Sequence, residues 1–143
     1  MAKTDEQNIS LKSQKAKGKM QNFNSKFKSD LIDRCFKLSL KVIKLSESII
    51  PKPAVRIIIG QLIRSITSIG ANLVEAKAAS SRLEFKKYHE ISLKSANESK
   101  YWLMLLRESN LADKQIIDEL LNELDEIAKM IASGVLKLKG VKF

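Results

Sequence analysis

One cysteine, one histidine, one tryptophan, two prolines and five glycines are all that 143 residues contain of these types. Each scarcity excludes something. With Cys35 alone there is no intrachain disulfide, which fits a reducing compartment. With His89 as the sole imidazole, metal sites built on Cys/His clusters cannot form, and the paired Glu-x-x-His motifs of a di-iron bundle lack their second histidine. No Gly-rich phosphate loop is present. No catalytic residue, metal or cofactor is therefore expected, and the chain reads as non-enzymatic. Too few turn residues occur to separate many short strands, which excludes an all-β fold and leaves an all-α one. No charge-free apolar stretch approaches about 18 residues and no signal-peptide core opens the chain. The expectation is a cytoplasmic protein with no membrane partner.

What the chain does have is lysine. The formal net charge is +10, and it is unevenly placed. Residues 1–28 carry seven lysines against Asp5 and Glu6, whereas residues 111–143 carry five basic side chains against six acidic ones. A basic front and a slightly acidic rear point to an anionic partner, nucleic acid before membrane. The blander alternative is that excess lysine keeps a small protein soluble.

Apolar periodicity sets the architecture. Residues 1–26 are poor in apolar side chains and read as a basic, flexible tail, and 27–143 as the folded domain. A first helix is expected from about 27 to 49, with Leu31, Cys35, Leu38, Val42, Leu45 and Ile49 in one row and Ile32, Phe36, Ile43 and Ile50 alongside. Pro51 and Pro53 break the pattern, and Pro53 suits the first position of a second helix running to about 77. Ser81 and Glu84 form an S-x-x-E capping box before a third helix to about 108, and Asp113 suits the N-cap of a fourth. Gly134 either ends that fourth helix or is tolerated inside it. Four long helices with short connections predict an up-and-down antiparallel four-helix bundle.

Two lines of polar residues need their own account. Gln61, Ser65, Ser68, Asn72 and Glu75 step by four, three, four and three along the second helix. Small hydrogen-bonding side chains there, with Gly60 and Gly70, suit a tight helix contact better than a solvated face, and Ser95 and Glu98 on the third helix are complementary. A structural polar network among these seven residues is expected, fixing helix register. The second line is basic. Arg34, Lys37, Lys41 and Lys44 follow helical spacing, and Arg56, Arg64, Arg82, Lys86, Lys87 and Lys94 extend the charge over the next two helices. With the N-terminal residues Lys12, Lys15, Lys17, Lys19, Lys26 and Lys28 they make a candidate footprint for phosphate backbones, read by shape and charge and not by base sequence. Tyr88, Tyr101 and Trp102 are candidates for stacking on bases, though aromatics at helical spacing more often belong to a core. A competing use of charge is assembly. Asp118, Glu119, Glu123, Asp125 and Glu126 form an acidic face that could dock on the basic line of a neighbouring copy.

The run from Gln61 through Arg64, Ser68, Ile69 and Asn72 to Glu75 resembles the Q-x-R-R-x-x-x-S-I-x-x-N-I-x-E-G signature of a bacterial four-helix-bundle family, the 23S rRNA intervening-sequence proteins. Ala78 to Phe85, Ser95 to Glu98, and Tyr101 to Leu103 are similar to its third helix. Ile63 replaces the first Arg of the usual pair, Ala76 stands where the family has Gly, and the Lys-rich tail is outside its pattern. The resemblance implies a small bundle that assembles into a ring-shaped homo-oligomer, typically a homopentamer. It also implies kinship with accessory variability determinant proteins of diversity-generating retroelements, which bind nucleic acid and a reverse transcriptase. Two readings follow. In the first, the protein binds RNA or DNA–RNA intermediates through phosphate contacts, as a retroelement or ribosomal-RNA-insert accessory factor. In the second, it is a scaffold whose main partner is another protein, such as a reverse transcriptase.

Overall fold

The computed structural model describes residues 7–8, 10 and 30–140. Four helices make up its regular structure in residues 30–140: α1 (Asp30–Ser48), α2 (Pro53–Lys77), α3 (Arg82–Glu108) and α4 (Lys114–Leu138). Each packs on its chain neighbour, and α4 closes the ring against α1. The result is an all-α, up-and-down four-helix bundle. The first three positions of the expected first helix lie outside the described residues, as do most of the tail and all six of the nominated N-terminal lysines.

Local chemistry explains the helix ends. Pro53 occupies the first turn of α2, where its missing N–H costs nothing. The Ser81 hydroxyl accepts from the Glu84 amide at 3.1 Å, capping α3. The return half of the capping box is displaced by one residue: the Glu84 carboxylate accepts from Ser80, at 3.0 Å from its amide and 2.8 Å from its hydroxyl. Those bonds hold the Glu84 carboxyl below its ordinary range. Asp113 caps α4 by accepting from the amides of Gln115 at 2.8 Å and Ile116 at 3.2 Å. Between α3 and α4 the chain reverses at Asn110, whose φ of 56° lies in the left-handed region that Asn tolerates better than most residues. Gly134 sits inside α4, which runs on to Leu138.

The core lies along the bundle axis. Leu38 and Val42 of α1, Leu62, Ile66 and Ile69 of α2, Leu103 and Leu106 of α3, and Ile117, Leu124, Ile127 and Ile131 of α4 are almost wholly buried. Burying each such side chain contributes about 1.5–3 kcal/mol, so this row decides the fold. By length and composition α2 is apolar enough to cross a membrane, at a mean hydropathy of 1.4. Here its row Val55, Leu62, Ile66, Ile69 and Leu73 is packed inside the bundle.

Candidate nucleic-acid interface

Which cations face solvent unengaged is decided by ion pairs both between and within helices. Arg34 lies opposite α4, where it donates to Glu123 through Nε at 2.8 Å and Nη2 at 2.9 Å, and also to Glu126. Lys37 pairs with Asp33 at 2.7 Å within α1. Arg64 of α2 reaches Glu98 of α3 at 2.6 Å and the Gln61 side chain at 3.0 Å. Lys86 lies 3.8 Å from Glu90. Four of the ten nominated cations on the bundle are therefore already engaged by carboxylates of the same chain. Lys41, Lys44, Arg56, Arg82, Lys87 and Lys94 are exposed and make no ion pair among the described residues. They fall into two groups. Lys41, Lys44 and Arg56 sit on α1 and the start of α2, and Arg82, Lys87 and Lys94 on the first half of α3.

Most of the acidic face of α4 is engaged by cations of the same chain. Asp118 accepts from Arg107 at 2.6 Å, Asp125 from Lys100 at 3.0 Å, and Glu123 and Glu126 from Arg34. Four of its five charges are answered by cations of the chain. These bonds pull the carboxyls of Asp118, Glu123 and Asp125 below the usual range, and desolvation opposes the shift only in part. Of the five acids only Glu119 makes no ion pair among the described residues. It lines an open groove between α1 and α4 together with Lys41, Lys44 and Leu120.

The polar stripe of α2 meets α3 through serines. Ser99 donates to Ser65 at 2.8 Å, Ser95 to Ser68 at 2.9 Å, and Ser92 to the Ile69 carbonyl at 2.8 Å. Ser65, Ser92 and Ser99 are buried, and hydroxyls this short can meet only where two backbones run close together. Asn72 does not cross: its amide donates back to the Ser68 carbonyl at 2.8 Å and hydroxyl at 2.9 Å. Glu98 belongs to an outer layer, where it accepts from Arg64 and from the Trp102 indole at 3.2 Å. Glu75 is exposed and joins none of these bonds among the described residues. Sequence spacing marks the seam but misses Ser92 and Ser99, which carry two of its three cross-helix bonds; their spacing from Ser95 was the available signal.

An apolar groove of about 290 Å³ runs between α1 and α2, lined by Phe36, Leu40, Ile43, Thr67, Ala71 and Val74 among others. Leu40 is 50% exposed and Ile43 37%. No charged side chain lines it. Phe36 and Ile43 of this groove belong to the second apolar row of the first helix in the sequence. His89 serves packing: its Nδ1 lies 3.0 Å from the Phe85 carbonyl and its ring 4.3 Å from the Phe85 ring. Burial pushes the Cys35 thiol up to about 12. Among the described residues no three His, Cys, Asp or Glu side chains converge as a metal site would require.

The family model of the 23S rRNA-intervening sequence proteins matches residues 28–133, which span all but the end of the bundle. The chain belongs to this family. A crystal structure from Bacteroides thetaiotaomicron VPI-5482, described as a protein with unknown function from the S23 ribosomal protein family, is similar over 73% of this chain and 97% of that one. The two share 31% sequence identity, with a TM-score of 0.69. Among curated proteins nothing matches the chain. The S23 relative thus shares the bundle, and its description assigns no activity.

Proposed function

We propose that this family member is a non-enzymatic, nucleic-acid-binding bundle that assembles into a ring-shaped homo-oligomer, typically a pentamer. Its partner is RNA or a DNA–RNA intermediate held through phosphate contacts. The observation that carries this reading is the set of six exposed cations left unengaged when the other four are paired internally. Phosphates are bound by releasing their counterions, which favours cations that do not first have to break a bond of their own. The place of such a protein would be that of a cytoplasmic accessory factor to a ribosomal-RNA insert or a retroelement. Self-assembly is supported by the uncharged α1/α2 groove, whose exposed leucine and isoleucine would be buried against a second copy.

The test is binding of labelled structured RNA, single-stranded RNA and duplex DNA over a salt series. Submicromolar binding that weakens steeply with salt is expected. The same groove favours a second reading, a scaffold whose main partner is a protein such as a reverse transcriptase. Absence of nucleic-acid binding at low salt would leave that reading in place of the first.

A further inference from the structure

The exposed face of α3 combines charge with an aromatic ring. Lys87, Lys94 and Tyr101 follow one another at seven-residue steps. Seven residues are nearly two helical turns, so the three side chains form one line, about 10 Å between neighbours. Tyr101 is 61% exposed, which removes it from the core where aromatics at helical spacing usually belong. Its ring stands edge-on to Trp102, with centroids 5.1 Å apart at 74°, and Trp102 is anchored by its indole N–H to Glu98. Met104, 55% exposed, widens the apolar surface beside it. The carboxylates that share this face are taken: Glu90 lies 3.8 Å from both Lys86 and Lys139, and Glu108 pairs with Arg107. Lys87 lies near enough to Glu84 to help lower its carboxyl, which is itself bonded to Ser80, and Lys94 has no charged partner among the described residues.

We propose that this face binds single-stranded nucleic acid, with Lys87 and Lys94 on successive stretches of phosphate backbone and an unpaired base stacked on Tyr101. The inference rests on the nucleic-acid reading above and narrows it. A base inside a duplex already has both faces covered by its neighbours, so only an unpaired one can lie on a side-chain ring. Stacking tolerates any base, which agrees with the lack of a base-reading motif. Lysine in line with the ring distinguishes the face from a purely apolar protein contact.

The experiment compares the full-length chain with Tyr101→Ala, Tyr101→Phe and Lys87→Ala/Lys94→Ala, against single-stranded RNA, single-stranded DNA and duplex DNA. Circular dichroism confirms that each variant is folded, as expected for exposed positions. Tyr101→Ala should weaken single-strand binding about 5- to 100-fold, with Tyr101→Phe near the parent and duplex binding unmoved. The double lysine variant should lower the slope of log K against log salt on single strands by about 1.4. Fluorescence of Trp102, the one tryptophan, should be quenched by single strands and not by duplex. Equal binding of both forms, or single-strand binding indifferent to Tyr101→Ala, overturns this assignment while the broader reading stands. Loss of self-association in Tyr101→Ala without change in RNA affinity would give the face to assembly and overturn it too. Absence of all nucleic-acid binding overturns both.

Discussion

Gly60 and Gly70 lie on one helix in opposite surroundings. A Cβ built on Gly60 meets nothing within 4 Å, whereas one on Gly70 would stand 3.1 Å from the Cβ of Cys35. That partner atom is fixed to the α1 backbone, so relief requires the helix itself to move. Gly60→Ala should stabilise the fold by up to about 1 kcal/mol, through helix propensity alone. Gly70→Ala gains the same propensity but overpacks a close contact, at about 1–3 kcal/mol, and should be net destabilising by about 1 kcal/mol. Urea unfolding of the pair measures both signs. Cys35 on the far side of that contact is 2% exposed, and its thiol is held almost wholly protonated at neutral pH. It should resist iodoacetamide at pH 8 in the native protein and react readily in denaturant; rapid native labelling would show that α1 opens easily.

Between elements, α1 is held to α4 on its outer side by Arg34 with Glu123 and Glu126. These groups are part-exposed, so Arg34→Met should cost about 1 kcal/mol at neutral pH, and less at high salt. The pH dependence has a definite sign. The Glu123 carboxyl is depressed in the folded state, chiefly by its hydrogen bonds from Arg34. Its contribution is complete above the ordinary glutamate range of about 4.3 and is lost as pH falls through the depressed value. Acid unfolding of Arg34→Met should therefore converge on that of the parent in this window; a constant gap down to low pH would refute the assignment. This tie also marks the limit of what could be read from the chain. Helix ends are local, so Pro53, Ser81 and Asp113 announce them within a few residues. The cationic line on α1 was equally visible, but whether Arg34 is free depends on a glutamate 89 residues away. Periodicity places side chains on a face and does not say what stands opposite.

At the scale of the molecule, the described surface includes an uncharged groove and scattered exposed cations that neither the core nor the internal ion pairs use. The four-helix architecture was legible because four apolar rows repeat with one period, and helices bearing such rows have few ways to cover them. The groove was not legible in the same way, because a row left exposed at the surface has the same spacing as one that faces a neighbour within the chain. Leu40→Lys places a charge in the middle of that groove without touching the core. Sedimentation should show it shifted toward the monomer with helicity unchanged, and an unaltered oligomer would remove the groove from assembly.

The central claim is that cations left unengaged by the bundle bind nucleic acid. Its most direct measurement is the salt dependence of RNA affinity for the full chain and for Lys41→Ala/Lys44→Ala/Lys87→Ala/Lys94→Ala, beside an Arg34→Met control. The fourfold variant should bind more weakly and lose about 3 from the slope of log K against log salt, while Arg34→Met, whose charge is already spent on α4, should change neither by much. Equal slopes for the parent and the fourfold variant would contradict the account.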